Sequence, residues 1–303
     1  MQAKILPVVL IFIGKLAKVI DPVKREFRYS DADFERVKAI IYRKAGIHLA
    51  DSKKQLVYSR LARRLRVLGI ADFSSYLGHL ETSVEEQEEF VNALTTNLTS
   101  FFREQHHFSA LANFAKQKTN LSRNLRIWCA ASSTGEEPYS IAITLAEVFG
   151  CYDPPVEIIA SDIDSNVLRE ASAGVYSLNR IETLSNERKK RFFLKGKGSN
   201  AGKARIVDPL RKLIEFKNIN LLERSWPITA PFDVIFCRNV MIYFDKPTQL
   251  KLLERMTHLL APDGLYIAGH SESFSQATHL VKLIGKTTYR LANYSDPGVR
   301  HGI

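Results

Sequence analysis

Between Ser30 and Gln117 the apolar positions recur at helical spacing. Phe34, Val37, Ile40 and Ile41 form one stripe, broken by Gly46; Leu56, Leu61, Leu65 and Leu68 form a second, with Gly69 suited to a left-handed C-cap. Ser83 followed by Glu86 reads as a capping box, and Glu85, Glu88 and Glu89 suit the positive end of a helix dipole. No strand-like alternation interrupts this stretch, so residues 27–100 are expected to form an all-helical domain, joined by a connecting helix and linker at 101–124.

Near residue 125 the pattern changes to short apolar runs separated by helical stretches. Strands are expected at Leu125–Ala131, Val156–Ala160, Glu215–Leu221, Phe232–Cys237 and Gly264–Ala268. One helix carries Ile141, Leu145 and Val148; another, Thr248–Leu260, ends before the turn sequence Pro262-Asp263-Gly264. Strands apolar on both faces, alternating with helices, indicate an α/β fold with a mostly parallel sheet covered on both sides. A closing pair, Val281–Ile284 and Thr288–Leu291, fits an antiparallel hairpin at the sheet edge. This second domain is expected over 125–294, with a tail at 295–303. The segment 175–212 breaks the alternation and reads as a small inserted antiparallel β-subdomain with a glycine-rich loop through Gly196, Gly198 and Gly202.

Composition narrows the class. Of 303 residues, 45% are hydrophobic and 25% charged, which excludes disorder as the main state. Cys129, Cys151 and Cys237 include no CxxC pair, arguing for a reducing compartment and against a structural zinc site. The formal charge of +11 points to an acidic partner, and it is concentrated: residues 180–224 hold 13 Lys/Arg against 5 Asp/Glu. The apolar stretch at residues 5–13 is far short of the roughly 20 residues a membrane span needs. Residues 1–26 are expected to be a poorly ordered leader.

The first strand ends in Ala130-Ala131-Ser132-Ser133-Thr134-Gly135-Glu136-Glu137. Small residues and a glycine at a strand-to-helix turn let a ligand approach the backbone, although a GxGxxG pattern is absent. Asp162 ends the second strand, where a carboxylate accepts both hydroxyls of a ribose; NAD and S-adenosylmethionine (SAM) both offer one. A pyrophosphate needs free helix N-terminal amides and no nearby anion. Glu136 and Glu137 would repel it but attract a sulfonium, which favours SAM.

The ordered set NLTSFFRE, CAASSTGEEPYSIA, SDID, NINLL, FCRNVMIYFD and GHSESF, running through residues 30–291, strongly resembles the CheR family of chemotaxis receptor methyltransferases. The resemblance implies a Rossmann-like SAM domain with an inserted β-subdomain behind a helical N-terminal domain. It implies transfer of a methyl group from SAM to glutamate side chains of methyl-accepting chemotaxis receptors, giving S-adenosylhomocysteine and a glutamate methyl ester, in chemotactic adaptation. Carried over by motif, it places SAM against Asn97, Thr99, Arg103, Glu137, Asp162, Asn220, Leu221, Arg238 and Asn239, with Glu137 preferred to Glu136. Arg103 and Tyr243 are expected beside the reacting groups, with no metal. The partner would be the glutamate-bearing coiled coil of the receptor's cytoplasmic signalling domain, with or without a C-terminal tether peptide. The enzyme would be a cytoplasmic monomer recruited to membrane-bound receptor arrays, without a span of its own.

Arg60, Arg63 and Arg64 share one face of the second helix and are expected to dock that receptor helix, while the Gly196–Gly202 loop resembles the peptide-gripping part of the β-subdomain. His106 and His107, adjacent on a helix, point about 100° apart and are not expected to be co-ligands. Two rival readings are a nucleic-acid methyltransferase and a non-catalytic SAM-sensing adaptor. The first fits the charge, but Arg238-Asn239-Val240-Met241 stands where amino-methylating enzymes place Asn/Asp-Pro-Pro-Tyr/Phe, and there is no Pro-Cys pair. The second would have lost Arg103 and Tyr243.

Overall fold

The computed structural model describes residues 25–118 and 122–295; most of the leader and tail expected at the termini lies outside them. Four helices, α1 (Asp31–Ala45), α2 (Lys54–Leu68), α3 (Phe73–Thr82) and α4 (Val84–Leu94), build the N-terminal unit. Their apolar stripes meet in one core that includes Phe34, Val37, Ile41, Leu61, Leu65, Phe73, Tyr76 and Phe90. Gly46 and Gly69 both take left-handed conformations as C-caps. The capping box lies at α1, between Ser30 and Asp33. At α4 only half of one forms: Ser83 Oγ accepts from the Glu86 N–H, while the Glu86 side chain turns to Arg64 and Tyr76.

After α5 (His106–Gln117) come β1 (Leu125–Cys129), α6 (Glu136–Phe149), β2 (Val156–Asp162) and α7 (Ser165–Ala173). The insertion follows: β3 (Val175–Ser177), α8 (Asn186–Phe192), β4 (Phe193–Lys195) and β5 (Lys203–Ile206). The chain then runs through α9 (Asp208–Lys212), β6 (Ile214–Asn218), β7 (Phe232–Cys237), α10 (Lys246–Thr257), β8 (Leu260–Ala268), β9 (Val281–Gly285) and β10 (Thr288–Leu291). Seven strands form one sheet in the order β6-β2-β1-β7-β8-β10-β9, parallel from β6 to β8, with the expected antiparallel hairpin at one edge. Separate hydrophobic clusters, around Ile127 and Ile143 and around Trp128 and Ile235, cover its two faces. The insertion is a separate three-stranded antiparallel sheet, β3-β5-β4.

Several boundaries differ from the sequence reading: β1 stops at Cys129 and not Ala131, β2 runs on to Asp162, β6 spans Ile214–Asn218, α10 spans Lys246–Thr257, and, the largest shift, β8 starts at Leu260. Pro262-Asp263-Gly264 lies within β8: the register passes from Phe232 opposite Leu260 to Val234 opposite Leu265, so the extra residues bulge out of the ladder. A β-carbon at Gly264 would come within 2.9 Å of the Asp233 carbonyl, which accounts for a glycine there.

The chain runs outward from β1 to β2 and β6, then returns to lay β7 on the other side of β1. That reversal is a topological switch point, and the carboxyl ends of the strands beside it form the natural ligand crevice. The helical unit closes the crevice from above. Tyr42 donates to Asp245 Oδ2 (2.7 Å), the His48 N–H to the Tyr243 carbonyl (3.1 Å), and Asn220 Nδ2 to the Lys44 carbonyl (2.7 Å).

Candidate active site

A cavity of about 310 Å³ occupies this junction, in the range of small-molecule sites. Asn97, Thr99, Arg103, Glu137, Asp162, Asn220, Leu221, Arg238, Asn239 and Tyr243 all line it, together with Ile47, His48 and Leu49 from the helical unit.

Asp162 stands at the last position of β2, 9% exposed. Its Oδ2 accepts from the Ser133 N–H at 2.8 Å and its Oδ1 from the Asp164 N–H at 3.0 Å. Burial pushes its carboxyl up to about 6, against the lowering effect of those backbone donors. Each oxygen takes one backbone donor, which leaves acceptor capacity toward the cavity and fits a ribose diol.

The two adjacent glutamates part ways. Glu137 lines the cavity and pairs with Arg238. Glu136 is fully buried and turned to Arg180 and to Thr134 Oγ1, so only one of the two carboxylates faces a ligand. Arg238, 3% exposed, also donates from Nη2 to the Arg103 carbonyl at 2.6 Å and lies 3.4 Å from Glu104 Oε2; its Nε has no partner among the described residues.

Arg103 sits between two non-glycine residues with left-handed backbone, Phe102 at φ 55° and Glu104 at φ 59°. The Ser140 hydroxyl accepts from the Phe102 N–H at 2.9 Å, and Arg103 Nη1 reaches back to the Leu98 carbonyl at 3.0 Å. The guanidinium is anchored yet about one-third exposed. Asn239 is also left-handed, at φ 59°. Glu272, 4% exposed, holds this turn by accepting from the N–H groups of Asn239 (3.0 Å), Met241 (2.8 Å) and Gly269 (2.6 Å). Burial raises its carboxyl above the usual range, with those donors opposing. The Asn220 amide is committed to the Lys44 carbonyl and the Leu222 N–H.

Three acidic residues that carry this geometry, Asp164, Glu272 and Glu104, were not among the sequence candidates. Asp164 caps α7 with one oxygen and with the other accepts from Thr95 and Asn97. Its signal was an N-cap position in the SDID motif; that of Glu272 was its place in GHSESF.

The docking candidates separate. Arg60 Nη1 donates to the carbonyls of Leu94 (3.0 Å) and Thr95 (2.5 Å), tying α2 to the end of α4. Arg64 makes two bonds to Glu86, whose side chain is 3% exposed and also accepts from Tyr76. These two part-exposed guanidiniums are engaged in internal ties, while Arg63 is exposed, so of the three residues expected to dock the receptor helix Arg63 is the most accessible. In the β4–β5 loop, Gly198 and Gly202 have positive φ, and a β-carbon on Gly196 would overlap the Asn200 carbonyl oxygen.

His106 and His107 pack side by side. Their rings lie 4.1 Å apart, and ligand atoms of Glu104, His106 and His107 fall within 4.8 Å of one another. A cation held there would face the Arg238 guanidinium on the same carboxylate. His107 is wholly buried and bonds the Thr287 hydroxyl at 2.9 Å; burial, then the Arg238 charge, lower its pKa to about 4.

A parallel-sheet crevice with an acid at the end of its second strand, and a carboxylate in the first turn of the helix after its first strand, is the architecture of a SAM-dependent methyltransferase. The description "CheR methyltransferase, SAM binding domain" matches residues 97–290, and "CheR methyltransferase, all-alpha domain" matches residues 32–95. The chain belongs to the CheR methyltransferase family. It is 60% identical over 265 residues to chemotaxis protein methyltransferase 2 of Pseudomonas aeruginosa, covering 88% of this chain and 95% of that one. It is 50% identical to the chemotaxis protein methyltransferase of Salmonella typhimurium (87% and 91% covered) and 48% to that of Escherichia coli (87% and 92%). The protein is a SAM-binding methyltransferase of chemotaxis. Among the described residues, no helix is long and apolar enough to cross a membrane.

Proposed function

We propose that the protein esterifies glutamate side chains on the cytoplasmic signalling domain of chemotaxis receptors, as a protein-glutamate O-methyltransferase. The observation that carries this reading is the convergence of Asp162, Glu137, Arg103 and Tyr243 on one cavity between the helical unit and the sheet. The residues fit SAM, which supplies the electrophilic methyl group when bound. Asp162 would hold the ribose, Glu137 and the Asn97–Thr99 stretch the methionyl end, and Asn220, Leu221 and Asn239 the remaining walls.

The chemistry asks little of the protein's acids and bases. A glutamate carboxylate has an ordinary pKa of about 4.3, so at neutral pH the nucleophile is already ionised and no general base is required. What the protein must supply is alignment and exclusion of water. Arg103 is suited to alignment, because its planar cation orients a carboxylate without giving up a proton. Tyr243, half-buried at the cavity wall, offers a hydroxyl and an aromatic face near the methyl-bearing cation. The helical unit, tied across the crevice, would shield the reacting groups from bulk water.

Arg63 and the β4–β5 loop are the docking candidates for the receptor helix and for a C-terminal peptide, and action on receptors places the enzyme in the cytoplasm at receptor arrays. Labelled SAM incubated with the enzyme and a receptor cytoplasmic fragment should give base-labile methyl ester on glutamate. Label that resists base, or that transfers to nucleic acid instead, contradicts the proposal.

A further inference from the structure

Glu104 faces the reacting groups only through other residues. Its backbone is left-handed at φ 59° and its side chain is 13% exposed. Around it converge groups from three places in the chain. Arg238 Nη2 lies 3.4 Å from Oε2, the His270 N–H donates to Oε2 at 3.0 Å, Asn239 Nδ2 stands 3.5 Å from Oε1, and Arg103 Nε 4.0 Å from Oε1. Burial works to raise this carboxyl, but the Arg238 charge outweighs it and holds it below the usual range, so it is anionic at neutral pH.

The charges near the site do not cancel without a ligand of definite sign. Glu104 and Glu137 share the Arg238 guanidinium, so this trio keeps one excess negative charge, while Asp162 and Lys53 on the cavity wall offset each other. Arg103 is the exposed member and, on the reading proposed above, is matched by the incoming glutamate carboxylate. One negative charge then remains for the cofactor. SAM has a net charge of +1, from its sulfonium, amino and carboxylate groups; S-adenosylhomocysteine has a net charge of zero. In a water-poor site that difference is weighed strongly.

We propose that Glu104 is a positioning residue that sets cofactor specificity: it fixes Arg238, Asn239 and the Arg103 backbone in place, and its charge biases the closed site toward the cationic methyl donor over the neutral product. Removing the charge while keeping the shape should therefore damage SAM binding more than product binding. A merely structural role would move both together.

The inference rests on the SAM-site reading, and the test separates the two. Binding of SAM and of S-adenosylhomocysteine to the full chain is measured by titration calorimetry for the wild type, Glu104→Gln and Glu104→Asp. In Glu104→Gln the ratio of the two dissociation constants should shift against SAM by about fivefold. Glu104→Asp keeps the charge and should hold the wild-type ratio within about twofold, even where both affinities fall. Equal losses for both ligands in Glu104→Gln, or no loss, overturn the proposal and leave the site standing. Should Glu104→Gln not fold, a shifted ratio in Glu104→Asp overturns it. Product binding unaltered by Asp162→Ala overturns the site reading and the inference together.

Discussion

Asn97 Nδ2 donates to Asp164 Oδ2 at 2.7 Å, joining the segment after α4 to the residue that caps α7. Thr95 donates to the same oxygen at 2.8 Å, and the other oxygen accepts from the N–H groups of Asn166 and Val167. One buried carboxylate therefore ends a helix, anchors the inter-domain segment and aims a cavity residue.

Asp164→Ala should cost roughly 1–3 kcal/mol of stability, from a lost N-cap and lost charge-assisted bonds. Because Asn97 is released, the SAM dissociation constant should rise as well. Denaturant unfolding and calorimetry read the two effects; a variant as stable as the wild type contradicts the capping role.

Two glycine-to-alanine changes should act in opposite directions. A β-carbon at Gly269 would sit 2.5 Å from Asn239 Nδ2 and 2.9 Å from Glu272 Oε2, so Gly269→Ala should displace the Asn239 turn and weaken cofactor binding. Gly78, within α3, has nothing within 4 Å of an added β-carbon. Gly78→Ala should stabilise by about 0.5–1 kcal/mol, because alanine is the better helix former. Thermal melts with and without S-adenosylhomocysteine distinguish the two.

Arg64 and Arg63 give a second contrast. Arg64→Ala strands the buried Glu86 carboxylate; since Arg64 is itself partly exposed, a loss of roughly 2 kcal/mol is expected, below the cost of breaking a fully buried pair. Arg63→Ala should leave stability within about 0.5 kcal/mol of the wild type while weakening receptor methylation through KM. A loss of receptor affinity in Arg64→Ala without destabilisation would restore that residue to the docking surface.

The pH dependence of cofactor binding follows from Asp162. Ribose hydroxyls donate to the ionised carboxylate, so binding favours the charged form. In the free protein that carboxyl titrates near 6. SAM affinity should therefore be constant above about pH 7 and fall as pH drops through 6, approaching tenfold per pH unit once the protonated form dominates. Asp162→Asn should abolish this dependence along with most of the affinity.

The strands were legible because a parallel sheet covered on both faces demands unbroken apolar runs, and Phe232–Cys237 matched to the residue. The start of β8 was hidden because Pro262-Asp263-Gly264 has the chemistry of a turn, and only pairing with β7 turns it into a bulge. The α4 capping box was over-read because Arg64, 22 residues earlier, claims the Glu86 side chain. The cavity-lining residues came from motif resemblance. The residues that hold them in place, Glu104, Asp164 and Glu272, act through contacts with distant segments that periodicity and spacing do not encode.

The most direct test of the central claim is a crystal structure of the full chain with S-adenosylhomocysteine. The ribose hydroxyls should lie within hydrogen-bonding distance of the Asp162 carboxylate, with the sulfur facing Arg103 and Tyr243. A nucleoside bound elsewhere, with the cavity between α2 and the ends of β1 and β2 left empty, would contradict it.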